Sequence, residues 1–180
     1  MTTAAAVDLT ARGLAVFPLP PGGRKPAGPW RSRCLTNPER VRELWRDGDN
    51  IGIGCRASGV IGLDLDLHDE ADGLAVLAHL AARLGKPWPE TLTAATPSGG
   101  RHMYFLAPDG CTIGSSSGGR TALGPGIDVR GPGRHTGGYL IGPGSVVGGN
   151  TYTVVHDVPV APLPGWISAR LPSLPDRSTR

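Results

Sequence analysis

Val60-Ile61-Gly62-Leu63-Asp64-Leu65-Asp66-Leu67 alternates apolar and polar residues, the period-2 pattern of a half-buried strand. Ile61, Leu63, Leu65 and Leu67 fall on one face, and Gly62, Asp64 and Asp66 on the other. With a rise of about 3.3 Å per residue, successive side chains on one face stand about 6–7 Å apart. Two carboxylates so placed repel each other unless a proton or a cation lies between them. A divalent ion such as Mg²⁺, which prefers oxygen ligands, meets that demand. A solvated strand edge over a buried core meets it equally well, and this stretch alone leaves both readings open. Gly62 leaves room beside the pair for a close approach. Asp64, Asp66 and His68 also start a calcium-loop pattern. That loop needs glycine at its sixth position, where Asp69 stands, and Leu65 and Leu67 are apolar, so the strand reading holds.

The rest of the chain is compatible with one core around this strand. Its 180 residues suit a single domain. Hydrophobic content of 39% and charged content of 18% indicate a soluble globular protein. The 28 Gly and 18 Pro demand many well-defined loops. A net charge of +3 permits a polyanionic partner without requiring one. Cys34, Cys55 and Cys111 fit neither a zinc motif nor a disulfide framework, which points to a reducing, cytoplasmic setting. No apolar run approaches the ~20 residues of a membrane span, and the start lacks the pattern of a signal peptide.

Upstream, the composition predicts a helix from about Ala4 to Ala11, stopped by Gly13, then a buried strand Leu14–Phe17 closed by Pro18 and Pro20. Arg24 and Lys25 sit in a Pro/Gly loop. Asn37-Pro38-Glu39 opens a helix with a cap, a proline and an acid in order. Val41, Leu44 and Trp45 form its expected apolar stripe. Gly52-Ile53-Gly54-Cys55-Arg56-Ala57 fits a dinucleotide pattern that requires a following helix. The strand of Asp64 comes too soon, so a short strand and hairpin turn are expected instead.

Downstream, Asp69, Glu70 and Asp72 lead a helix whose core stripe is Leu74, Leu77, Leu80, Ala81 and Leu84, ended by Gly85 and Pro87. Leu92–Thr96 and His102–Leu106 read as strands around the turn Pro97–Arg101. Two glycines there let backbone N–H groups approach an anion. The Gly- and Ser-rich stretch from Asp109 to Gly126, with Arg120, is long for a plain connection. Gly126–Arg130 is a strand with Ile127 and Val129 on one face and Asp128 and Arg130 on the other. Gly131–Gly138 is a turn holding Arg134 and His135. Strands at Tyr139–Ile141 and Thr151–Val155 and a short helix at Trp166–Leu171 complete the pattern, with a tail or linker from Pro172.

Three strands thus carry polar faces: Asp64 with Asp66, His102, and Asp128 with Arg130. A mixed sheet could set them side by side. Three carboxylates, a histidine and nearby cations would suit a nucleoside triphosphate with two metal ions, which clamp the two oxygens of an in-line phosphoryl transfer. At this point the chain resembles the bifunctional primase/polymerase N-terminal domain of the archaeo-eukaryotic primase superfamily. Gly13–Pro26 resembles its opening strand and Lys-Pro loop, and Gly62–Asp66 its Asp-x-Asp motif. Thr96–Phe105 resembles its small-residue-x-His element and Ile127–Gly131 its apolar-Asp element. Gly142–Ser145, Tyr152 and Leu163–Trp166 follow its C-terminal part.

The resemblance implies an α/β fold, a mixed sheet flanked by helices with an RRM-like catalytic half, over residues 1–171, with 172–180 as tail. It implies two Mg²⁺ or Mn²⁺ ions on Asp64, Asp66 and Asp128. It places the incoming NTP or dNTP against His102, Ser98, Gly99, Gly100, Lys25 and Arg130, with Arg101 on the opposite strand face. The implied reaction is template-dependent DNA synthesis: a 3′-hydroxyl attacks the α-phosphorus and pyrophosphate leaves. Implied partners are single-stranded template and primer, and a replicative helicase domain or protein, in plasmid or phage replication. Gly100 stands where many relatives have Ser, so Ser98 would have to supply that hydroxyl. The Gly131–Gly138 turn is longer than expected. Two other functions use the same residues: a non-catalytic nucleotide- or nucleic-acid-binding module, and a metal-dependent phosphohydrolase or nuclease.

Overall fold

The computed structural model describes residues 2–68, 71–118 and 121–171. In chain order the elements begin α1 (Thr2–Ala11), β1 (Val16–Leu19), α2 (Pro38–Leu44), β2 (Asn50–Gly54), α3 (Cys55–Ser58), β3 (Val60–Leu65), β4 (Leu67–His68), β5 (Ala71–Asp72) and α4 (Gly73–Arg83). They continue β6 (Thr93–Ala95), β7 (Arg101–Leu106), β8 (Ile127–Arg130), β9 (Tyr139–Ile141), β10 (Val146–Val147), β11 (Asn150–Thr151), β12 (Thr153–His156), β13 (Ala161–Pro162) and α5 (Gly165–Ser168).

The alternating stretch supplies the inner strand of the larger sheet, whose order is β12-β6-β7-β3-β8. Every pair in that path is antiparallel, and only β13 runs parallel, alongside the end of β7. The expected α/β class is found. Ile61, Leu63 and Leu65 of β3 join Met103, Phe105, Ile127 and Val129 on one face. That face packs on Leu77 and Leu80 of α4 and Ile167 of α5. Each such side chain, fully buried, contributes about 1.5–3 kcal/mol. The other face carries Val60, Ala94 and Tyr104 and meets a second sheet, β1-β2-β9, through Val16, Ile51, Ile53 and Leu140. The second sheet covers only part of this face. Beyond its rim the polar side chains of β3 and β8 are partly exposed, while His102 of β7 stays buried beneath it.

Gly62 has a different use from the one expected. A Cβ there would lie 2.0 Å from Leu140 Cδ1, so the space beside the aspartates is taken by a side chain of the covering sheet. The strand also ends earlier than its pattern. Asp66 N–H donates to the Gly126 carbonyl (2.8 Å) and its carbonyl accepts from Gly73 N–H (2.8 Å). The chain leaves the sheet there, so Leu67 is exposed and outside the core. β1 starts at Val16 and runs through Pro18, which the sequence had as its stop. β1 is the edge of its sheet. Val16 exchanges hydrogen bonds with Leu35 on the outer side. Pro18, two residues on, turns its missing donor the same way.

The hairpin expected after Gly54 is absent. β2 and β3 belong to different sheets, and the one-turn helix α3 carries the chain between them, ended by Gly59 at φ +62°. Asn37 caps α2 as expected, its Oδ1 accepting from Glu39 and Arg40 N–H. Val41 and Trp45, one turn apart, face inward, while Leu44 is 53% exposed and is no part of the stripe. In α4, Leu74 is likewise exposed, whereas Leu77, Leu80 and Ala81 are buried. Asp72 caps α4 by accepting from Ala75 N–H. Gly85 at φ +61° closes it, with Gly85 and Lys86 N–H donating to Ala82 and Ala81 carbonyls, as in a Schellman motif. The single strand expected over 151–155 is two pieces broken at Tyr152. β10 and β11 form a hairpin across Gly148-Gly149, both at positive φ, as a type I′ turn requires. The expectations for Asp69, Glu70, Arg120 and the tail 172–180 lie outside the described residues. No helix among those described is long and apolar enough to cross a membrane.

Asn50 ties these parts together. It is 1% exposed. Its Nδ2 donates to the Gly23 (3.0 Å) and Val146 (2.8 Å) carbonyls, and its Oδ1 accepts from Val146 N–H (2.8 Å). Asn50→Ala is expected to cost about 2–4 kcal/mol, since it strands buried backbone groups as well as losing three bonds. The check is chemical denaturation, with a lower midpoint and unchanged slope.

Candidate functional site

Strand register assembles the site. Asp64 lies opposite His102 of β7 on one side and opposite Asp128 of β8 on the other. Directly opposed side chains have Cβ atoms about 5 Å apart, so the three form one row across the sheet. Arg130 stands one pleat along, opposite Gly62. These are residues from three motifs spread over 67 positions of chain, and antiparallel pairing alone brings them together.

His102 is the most constrained of them. Only 4% of it is exposed. Its Nδ1 lies 3.0 Å from the Ile141 carbonyl, and its Nε2 lies 3.2 Å from Asp64 Oδ1. A carbonyl only accepts, so Nδ1 carries a proton. Nε2 can then donate to Asp64 only when the ring carries both protons. Tyr104 O–H donates to the same Ile141 carbonyl (3.3 Å), and the Tyr152 ring sits 5.4 Å from the imidazole. Cys55 nearby is fully buried, and burial pushes its thiol up to about 12, so no thiolate is on offer.

The carboxylates are unequal. Asp128 is fully engaged: Oδ2 accepts from Arg130 Nη2 (3.0 Å) and Oδ1 from Gly118 N–H (2.8 Å). Arg130 is itself pinned by Ser117 Oγ (2.7 Å). Asp66 has its carboxyl raised above the usual carboxylate range, by burial first and then by the charges of Asp64 and Asp128. Such mutual repulsion marks a place where a cation would be welcome, and three hard oxygen donors suit Mg²⁺ or Mn²⁺. Among the described residues, no three His, Cys, Asp or Glu side chains converge as a ready cage. The chemistry of the donors fits a divalent ion; Asp128 would have to exchange Arg130 for it.

The raised Asp66 has a consequence for stability. Its carboxyl holds a proton more readily folded than unfolded. Its contribution is therefore favourable below the unfolded carboxylate range and is lost as pH rises through the raised folded value. Asp66→Asn is expected to melt higher than the parent at pH 7, with the gap closing below about pH 4. Thermal melts across that range check it, and an unchanged or lower melting point at pH 7 contradicts it.

A cavity of about 410 Å³ opens beside this row, between the two sheets. Asp64, His102 and Arg130 border it, with Arg24 and Arg31 as further cations and Trp30, Tyr139 and Tyr152 as aromatic walls. Specific contacts fix the Arg24 backbone and the Arg31 side chain. Tyr139 O–H donates to the Arg24 carbonyl (3.0 Å) and Arg31 Nε to the Thr136 carbonyl (2.5 Å). Trp30 stacks on Phe17 at 4.5 Å and meets Tyr139 edge-on at 5.1 Å. Gly137 and Gly138 line the cavity too, and a Cβ at Gly138 would lie 2.3 Å from Ser115 Oγ.

Not every expected residue reaches the cavity. Lys25 is exposed on the loop, and it is its neighbour Arg24 that borders the space. Asp66, Asp128, Ser98, Gly99 and Gly100 also lie off the lining. Gly99 N–H donates to the Thr96 carbonyl, Ser98 Oγ is 3.0 Å from Thr96 Oγ1, and a Cβ at Gly100 would meet Leu65 O at 2.3 Å. This turn therefore packs on the end of β3, next to Asp66. Arg101 turns away from the site as expected, donating to the Gly99 and Gly100 carbonyls. The sequence reading missed Trp30, Arg31, Tyr139 and Ser115. The lone tryptophan in a Pro/Gly loop was the one local signal for the first two.

Residues 6–166 match the family model described as bifunctional DNA primase/polymerase, N-terminal. A search of curated proteins found no match.

Proposed function

Since the chain belongs to the bifunctional DNA primase/polymerase N-terminal family, with a DNA primase/polymerase-type function in general, we propose that it joins NTPs or dNTPs to a 3′-hydroxyl on a DNA template, releasing pyrophosphate. The observation that carries this is the row His102–Asp64–Asp128, of which His102 and Asp64 border a cation-lined cavity. Asp64, Asp66 and Asp128 would hold two divalent ions, which supply positive charge to the transferring phosphoryl group and its two oxygens.

The chain's own residues do the rest. His102, locked by Ile141 through Nδ1, holds Asp64 through Nε2, and that same N–H would pass to a phosphate oxygen once Asp64 turned to the metal ions. Arg130 releases Asp128 and takes a triphosphate oxygen instead, a fork geometry suited to phosphate. Arg24 and Arg31 neutralise the remaining charge, and Lys25 lies within the same loop. Ser98, Gly99 and Gly100 adjoin Asp66 past the end of β3, where the far phosphates would lie. Trp30, Tyr139 and Tyr152 offer flat faces to base and sugar. Catalysis is then positioning plus charge stabilisation.

The engagement of both Asp128 oxygens by Arg130 and Gly118 favours one second reading, a module that binds nucleotide without turning it over. The experiment is primer extension beside a primer-free assay, each with Mg²⁺ or Mn²⁺ and with NTPs or dNTPs. Incorporation with pyrophosphate release is expected. Nucleotide binding with no incorporation in any condition would establish the module instead.

A further inference from the structure

Charge along this chain is uneven. Residues 24–46 hold seven of the 18 Lys and Arg but only two of the 15 Asp and Glu, so this one segment outweighs the whole protein's net charge of +3. Of the seven, only Arg40 is paired with a carboxylate among the described residues, through Glu43. Arg24, Lys25, Arg31, Arg33, Arg42 and Arg46 are exposed. Arg24 and Arg31 border the candidate nucleotide cavity. Arg33 and Arg46 border a second groove of about 360 Å³. The two spaces share Trp30 as a common wall.

We propose that this second groove is the path of the single-stranded template. It has the two components that bind a single strand: unpaired cations for the backbone and apolar surface for unstacked bases. Pro20, Pro26, Trp30 and Leu44 supply that surface. The exposure of Leu44, unexplained as part of a helix stripe, is accounted for by this use. Arg31 lies over the Trp30 ring at 4.8 Å from its centroid, a platform that is both charged and flat. Asp49 is the carboxylate in the lining, and it leaves the groove with a net positive charge beside Arg33 and Arg46. A duplex would use only the cations, since its bases are already stacked. A templating base must meet the base of the nucleotide in the cavity, so its strand has to cross the cavity wall. The Trp30 wall, with Arg31 on one side and Arg33 on the other, is such a crossing. This inference depends on the polymerase reading for the word template, but the strand path is tested separately.

The experiment is fluorescence anisotropy with a labelled DNA strand of about 16 nucleotides, for the full chain and for Arg33→Ala/Arg46→Ala. The double variant is expected to bind about tenfold or more weakly at about 50 mM salt. The slope of log affinity against log salt should fall by about 1.4, two single-strand phosphate contacts at about 0.7 each. Arg33→Lys/Arg46→Lys should keep the parent slope, and the parent should prefer the single strand to a duplex of equal length. Unchanged affinity and slope in the alanine variant, or a duplex bound as tightly, would overturn the proposal. Normal primer extension by the parent alongside that failure leaves the polymerase reading intact. Single-strand binding lost with these arginines, in a protein that never incorporates nucleotide, supports the strand path and removes the polymerase.

Discussion

Asp64→Asn is expected to lower nucleotide incorporation by about a thousandfold while leaving the fold in place. The substitution keeps size and shape, and an amide oxygen can still accept from His102 Nε2. What it removes is one negative charge at the centre of the row, opposite both His102 and Asp128. Loss of a single preorganised charge-stabilising group in an active site typically costs about 10²–10³ in rate, and Asp64 stands between His102 and Asp128. Its side chain is 21% exposed, so its removal should not open a core cavity. Primer extension and a melting curve, run on the same preparation, test the two halves of the expectation. Undiminished incorporation would take Asp64, and with it the proposed metal site, out of the reaction.

His102→Ala should fail in both respects. The imidazole is buried, joins Ile141 to Asp64, and stands against Tyr152. Its deletion leaves a cavity and a partly buried carboxylate without its partner, which together cost roughly 2–4 kcal/mol. For a chain of this size that is a fall of about 4–16 °C in melting temperature. Incorporation should fall by about a hundredfold or more. His102→Asn separates the two roles, because its amide nitrogen can replace Nδ1 toward Ile141 but nothing replaces Nε2 toward Asp64. Stability should return in part and activity should not. If Asn restored both, the contact with Asp64 would be irrelevant to the chemistry.

The differences between expectation and structure have a common physical source. Leu44, Leu67 and Leu74 sit at correct spacing for an apolar face yet are exposed. Periodicity reports which residues share a face, whereas burial depends on how far the opposing layer extends. Gly62 was open space by sequence and is filled by Leu140, a residue 78 positions away. Trp30 and Arg31 carried no periodic signal at all, because loop residues take their place from contacts such as the stack on Phe17 and the bond to Thr136. Lys25 and Arg24 are neighbours, and only the loop's anchoring through Asn50 and Tyr139 decides which of the two borders the cavity.

By itself the sequence determined the strands that carry Asp64, His102 and Asp128, the face each residue takes, and the motifs that identify the family. Those are local matters: alternation along a strand has a period of two whatever lies beside it. Only the tertiary structure decided the pairing of β3 between β7 and β8, the partial cover of their polar face by the second sheet, and the arginines that rim the cavity. Register and cover depend on hydrogen bonds and packing between segments far apart in the chain, and no local pattern encodes which segment will arrive.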